Sequence, residues 1–186
     1  MIDANRTGDS IGRPAGWIRV FVAGPPCSGK SAAGAVLAGL LGLPFADLDR
    51  LVERAVGTTV PEIFRTRGEA GFRAAESACL AEAVGGGGEF VMALGGGTLL
   101  DPENLGLVLA AGIVVTLLAD PAALAARMSA QRAARPLSGD AAALLRLLED
   151  RRAHYAALPN PVDTSGMTVT EAAEAAAAVV RRALLS

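Results

Sequence analysis

The stretch WIRVFVAGPPCSGKSAAGAVLAGLL, Trp17 to Leu41, decides how this chain folds. It opens as an apolar run ending at Ala23, turns through glycine and proline, and resumes as a small-residue apolar segment without proline. Trp17 to Ala23 reads as a buried strand, and Lys30 to Leu41 as a helix that stops near Gly42 and Pro44. The turn between them fits G-x-x-x-x-G-K-[ST] without a gap, at Gly24, Gly29, Lys30 and Ser31. Glycines there let backbone N–H groups curl around phosphate oxygens, and the helix start adds its positive dipole end. Gly24, Ser28, Gly29, Lys30, Ser31 and Ala32 are the expected phosphate cradle, with the Ser31 hydroxyl a ligand for Mg²⁺. Lys30 is the only lysine among 17 basic residues. A planar guanidinium does not replace a compact ammonium against the β- and γ-phosphates, and the lone lysine fits a nucleotide site.

Bulk composition narrows the class. At 186 residues, 52% hydrophobic and 19% charged, the chain suits one domain with a sizeable core. A formal net charge of -2 argues against a nucleic-acid surface. Cys27 and Cys79 form no disulfide or metal spacing, which points to a reduced, cytoplasmic chain. Residues 1–16 are polar and lack the apolar core of a signal peptide, so they read as a tail before a single domain over 17–186. The long uncharged run Leu105 to Ala119 is shorter than the roughly 20 residues needed to span a bilayer, so no membrane is expected.

Downstream, strands and helices alternate. Strands are expected at Phe45–Leu48, Phe90–Leu94, Ile113–Ala119 and near Pro161. Helices are expected over Arg50–Val84 (broken around Gly57, Pro61 and Gly68), Asp101–Ala111, from Pro121, Asp140–Leu158 and Thr168–Leu185. The last begins Thr168-x-x-Glu171, a capping-box spacing. GGGG at 85–88 reads as a connector, and residues 130–140 as an arginine-bearing loop. The alternation means a parallel sheet covered on both faces. ADLDR, Ala46 to Arg50, puts Asp47 and Asp49 at the end of the second strand, beside the phosphate loop. Two carboxylates there suit a metal shell and a hydroxyl acceptor; equally, Asp49 could only cap the helix after it.

The stretch FADLDRLVERAVGTTVPEIFRTRGEAGFRAAE, Phe45 to Glu76, resembles the shikimate kinase family: a D-x-D, an acid-bearing helix, G-x-[ST]-[IV]-x-E-I-F and G-E-x-x-F-R-x-x-E. Leu94 to Gly97 matches that family's L-G-G-G, Arg135-Pro136-Leu137 its lid, and Arg151 to Tyr155 its R-x-x-x-Y. The resemblance implies a P-loop, nucleoside-monophosphate-kinase-like α/β/α sandwich. It would have a five-stranded parallel sheet, a mobile lid over about 130–140, and a monomeric state. It implies ATP and Mg²⁺ as cofactors and shikimate, or a close relative, as acceptor. Carried over by position, Asp49 would hold and orient the acceptor hydroxyl, and Arg73 and Arg151 would pair with the acceptor carboxylate. Gly95, Gly96 and Gly97 would let backbone amides approach it. Asp47 would reach Mg²⁺ through water, and Arg135 would swing in with the lid over the phosphates that Lys30 reaches. The bottom-up chemistry agrees: a planar fork suits a carboxylate, and phosphoryl transfer needs positioning more than a nucleophile.

The chain departs from the family at Cys27, where glycine is usual, and at Met128, where an adenine-stacking arginine is usual and Arg127 stands one residue before. Ala153-His154-Tyr155 replaces P-L-Y, beside Arg151 and Arg152. Arg73 also has a plainer reading as an ion-pair partner of Glu69 and Glu76 on a helix surface. Two alternatives stay open from the residues: a kinase of the same fold for another hydroxylated acid or cyclitol, and a nucleotide-binding regulator without turnover.

Overall fold

The computed structural model describes residues 17–134 and 141–185. The polar tail and Arg135 with most of the expected lid lie outside the described residues. Among the described residues the order is β1 (Arg19–Ala23), α1 (Lys30–Leu41), β2 (Phe45–Asp47), α2 (Leu48–Val56), α3 (Val60–Gly85) and β3 (Phe90–Ala93). A 3-10 turn at Thr98–Leu100 follows, then α4 (Pro102–Ala111), β4 (Ile113–Leu118), α5 (Pro121–Ala134), α6 (Ala141–Asp150), α7 (Arg152–Ala157), β5 (Pro161–Asp163) and α8 (Val169–Leu185). The strands form one five-stranded sheet in the order β2-β3-β1-β4-β5, every neighbouring pair parallel. The α/β class and the parallel sheet are as expected.

Strand alternation builds two cores. β1 lies between β3 and β4, with Val20 opposite Val91 and Ile113. Its side chains alternate between faces. Val20 and Val22 pack with Leu37, Val115, Leu117, Ala173, Ala176 and Val180 beneath α1 and α8. Phe21 and Ala23 pack with Leu48, Val52, Ile63, Leu80, Met92 and Val114 under α2 to α4. α1 and α8 cover this face largely with small side chains, Ala33 and Ala38 from one and Ala172, Ala173, Ala176 and Ala177 from the other, which lets both helices sit close against the sheet.

Several boundaries moved. The first strand begins at Arg19; Trp17 is 45% exposed, its ring lying against Gly87, with the Arg19 guanidinium 5.2 Å from the indole centroid. The GGGG connector thus also seats the tryptophan. α2 starts at Leu48, two residues earlier than expected, because Asp47 caps it by accepting from the Arg50 N–H at 3.3 Å. The capping role considered for Asp49 therefore belongs to Asp47. Gly68 breaks α3 at φ 67°, as the expected interruption there implied, whereas Pro61 sits harmlessly in the first turn. α5 runs on to Ala134, into the expected loop, and the expected Asp140–Leu158 helix divides at Arg151.

The Thr168 capping box forms: its N–H donates to Glu171 Oε2 at 2.7 Å, and Glu171 N–H donates to Thr168 Oγ1 at 3.3 Å. Thr168→Ala should lower stability by about 1 kcal/mol in urea unfolding. An unchanged midpoint would mean that packing of α8 on α1 makes the cap irrelevant.

Candidate active site

Polar chemistry collects where the strands end. β1, β2 and β3 run parallel, so their carboxyl ends lie side by side and carry three segments: 24–31, Asp47 to Asp49, and Leu94 to Gly97. Gly24 leaves β1 at φ 138°, and a Cβ there would strike the Leu117 carbonyl, so only glycine fits the turn. Gly29 caps α1 in the left-handed region. The Lys30 ammonium folds back to donate to the Pro25 carbonyl at 2.8 Å. Its pKa is pulled down to about 8, chiefly by burial, against the opposing pull of Asp49, Cys27 and Asp47. Ser28 is buried, and its hydroxyl has no partner.

Ser31 Oγ donates to Asp47 Oδ2 at 2.5 Å, so the hydroxyl and carboxylate expected around Mg²⁺ stand together. Magnesium usually takes one or two protein oxygens and completes its shell with water and substrate phosphates. An adjoining hydroxyl and carboxylate at the mouth of the loop fit that donor set.

Asp49 faces the same space from the first turn of α2. Its Oδ1 is buried without a hydrogen-bond partner. Burial, with repulsion from Asp47 and Glu76, holds its carboxyl above the usual range, partly offset by Lys30. A buried acceptor left bare is unfavourable unless a ligand supplies the missing donor.

The glycine run lies beside it because nothing larger fits. A Cβ on Gly95 would collide with Glu76 Oε1 and stand 3.3 Å from Asp49 Oδ1; one on Gly96 would meet Pro26; one on Gly97 would stand 2.5 Å from Arg73 Nη2. Arg73 Nη1 donates to Glu76 Oε2 at 2.7 Å and Nη2 to Glu69 at 3.3 Å. The ion pairs of the plainer reading exist, but Glu76 is 0% exposed, so this is not a surface pair. Thr98 Oγ1 donates to the other Glu76 oxygen at 2.6 Å, and Asn104 Nδ2 donates to the Thr98 carbonyl at 3.1 Å. Sequence spacing showed the Arg73–Glu76 step of three; it carried no sign that Glu76 is buried or that Thr98 holds it.

The Arg151 charge lies beside the Tyr155 phenol, whose hydroxyl donates to the Gly96 carbonyl at 2.7 Å. Arg152 instead points outward, 74% exposed and 3.9 Å from Glu149. Of the adjacent pair, Arg151 turns inward. Around the P-loop's other side, a cavity of about 310 Å³ is lined by Cys27, Ser28, Gly29, Ala32, Arg127, Thr164 and Met167. Arg127 reaches it by donating to the Thr164 carbonyl at 2.6 Å. Cys27 adopts φ 63°, a backbone region that favours glycine. Its thiol is half-buried and pushed up by burial against the pull of Lys30, so it lacks the lowered pKa of a reactive cysteine. Arg135 lies outside the described residues; the other expected site residues lie in the segments after β1, β2 and β3, with Arg73 against Gly97 and Arg151 near Gly96 through Tyr155. No helix among the described residues is long and apolar enough to cross a membrane.

Arg73→Ala should destabilise the fold by about 3 kcal/mol, because it leaves the buried Glu76 carboxylate without its cation. Adding Glu76→Gln to that variant should recover part of the loss in urea unfolding. Equal midpoints for the single variant and the parent would show that the pair contributes nothing.

The comparisons agree with this geometry. The family model for shikimate kinase matches residues 26–184. A shikimate kinase from Parasynechococcus marenigrum is 43% identical over 150 residues, 79% of this chain and 78% of the relative. One from Thermus thermophilus is 41% identical over 149 residues, 78% and 80% of the two chains. The solved structure of a shikimate kinase from Acinetobacter baumannii in complex with shikimate superposes with a TM-score of 0.80 at 29% identity, covering 91% of this chain and 96% of that one. The chain belongs to the shikimate kinase family.

Proposed function

We propose that this chain transfers the γ-phosphoryl group of ATP to the 3-hydroxyl of shikimate, giving shikimate 3-phosphate and ADP, a step in aromatic amino-acid biosynthesis. The observation that carries the reading is the bare, buried Oδ1 of Asp49, set between the Lys30 loop and the glycine run. An acceptor hydroxyl there would donate to Asp49, which orients it toward the γ-phosphorus and takes its proton as the O–P bond forms.

The remaining roles follow from the chemistry of each group. Gly24, Ser28, Gly29 and Ala32 line the phosphate path, and Lys30 would leave the Pro25 carbonyl for the phosphates. Ser31 directly, and Asp47 through water, would hold Mg²⁺, which neutralises phosphate charge when bound. Arg73 and Arg151 would take the acceptor carboxylate, and Gly95 to Gly97 would offer it backbone amides at close approach. Arg73 is held by Glu76 and Glu69, so its fork is already oriented before the acceptor arrives. Arg127, lining the cavity beside Cys27, would lie against the nucleobase in place of the residue at 128. Arg135 would close over the phosphates with the lid. The reaction belongs to the cytoplasm, where ATP is available and the thiols of Cys27 and Cys79 stay reduced.

The test is ADP release from Mg²⁺-ATP with and without shikimate, for the parent chain and for Asp49→Asn. Turnover should depend on shikimate, and Asp49→Asn should abolish it while ATP binding persists. The same variant should be no less stable than the parent: a carboxylate whose folded pKa is raised opposes folding once it ionises, and the amide removes that charge. Parent-like activity in Asp49→Asn would remove Asp49 from the chemistry.

Two pH effects have opposite signs. Turnover should fall as pH drops through the raised Asp49 value, because the protonated carboxyl no longer accepts the hydroxyl proton. ATP affinity should fall as pH rises through about 8, where Lys30 loses its charge. A dissociation constant flat across that interval would mean that Lys30 stays charged or does not meet the phosphates.

A further inference from the structure

Tyr155 is the chain's one tyrosine, and it is 4% exposed. Its ring packs in the core with Leu158 and Leu99, which is the ordinary position of a buried tyrosine. Its hydroxyl is not ordinary. It donates to the carbonyl of Gly96, 59 positions away, at 2.7 Å. The Arg151 guanidinium lies close to the same oxygen, and the charge of Arg73 reaches it from further off. A phenol has one hydrogen to give and lone pairs to receive. Giving that hydrogen to Gly96 leaves the lone pairs for the arginine. Arg73 in turn crowds Gly97, the next residue of the same run. The three segments expected at the acceptor, α3, the 95–97 run and the turn before α7, therefore gather around one hydroxyl, which holds the middle one directly.

We infer that Tyr155 is a positioning residue for the acceptor: its hydroxyl locks the 95–97 backbone to Arg151, so that both grips on the acceptor are set together. This rests on the reading that Arg73 and Arg151 bind the acceptor carboxylate. Phenylalanine keeps the ring in the core but loses the hydroxyl between Gly96 and Arg151, so the loss should appear in acceptor binding and leave the nucleotide side alone.

The experiment measures KM for shikimate and for ATP in the parent, Tyr155→Phe, Arg151→Ala, Arg73→Ala and the Tyr155→Phe/Arg151→Ala double variant. Tyr155→Phe should raise the shikimate KM by about tenfold, as expected for a lost buried hydrogen bond, with the ATP KM unchanged. Its effect should be less than multiplicative with Arg151→Ala, because the two act through one contact. Equal losses for both substrates, or fully multiplicative effects, would overturn the assignment. If Arg73→Ala and Arg151→Ala both leave the shikimate KM unchanged, the carboxylate reading fails and this inference with it. If they raise it and Tyr155→Phe does not, only the inference fails. Should Tyr155→Phe not fold, fluorotyrosine incorporation labels position 155 alone. Its fluorine resonance should move on adding shikimate to the parent and stay still in Arg151→Ala; no movement in the parent at saturating shikimate would overturn the proposal.

Discussion

Glu76 is a carboxylate with no exposed surface, and its burial constrains both the glycine run and the arginine beside it. A charge removed from water must be met by partners of fixed position. Arg73 meets one oxygen and Thr98 the other. That ties α3 to the turn after β3 and fixes the direction of the Arg73 fork. Gly95 must then be glycine, since the Glu76 oxygen occupies the space a side chain would need.

The same crowding explains the electrostatics. Asp47, Asp49 and Glu76 bring three carboxylates together, with Lys30 and Arg73 as the nearby cations. Asp49 is left with a raised pKa and a bare oxygen, an unfavourable state for a folded chain and a useful one for accepting a proton. Lys30 carries the complementary strain: burial lowers its pKa to about 8, and anionic phosphates would relieve it. The site is thus unfavourable in both signs of charge, and a phosphorylated ligand and a hydroxyl donor would offset both.

Much of this was legible in the residues. The strand–turn–helix from Arg19 to Leu41 follows from an apolar run, two obligatory glycines and a proline-free segment, and the helix bounds agree with the reading. Asp47, Asp49, Arg73 and the glycine run were identifiable because they lie in ordered short motifs. What was not legible depends on distance in sequence. Glu76 to Thr98 spans 22 positions and Tyr155 to Gly96 spans 59, and no periodicity reports such pairs. The start of α2 was misjudged because Leu48, an apolar strand-like residue, is buried as the first residue of a helix rather than the last of a strand. The choice between Arg151 and Arg152 needed the turn at Arg151, where φ is -101° and the helix divides.

The measurement that bears most directly on the central claim is the position of the transferred phosphorus. Phosphorus and proton NMR of the product made from ATP and shikimate should show a single monoester on the 3-hydroxyl, formed in step with ADP. A monoester on another hydroxyl would mean that Asp49 presents a different face of the ring. ADP appearing with inorganic phosphate alone would contradict the account, because the crevice would then be delivering water to the γ-phosphorus.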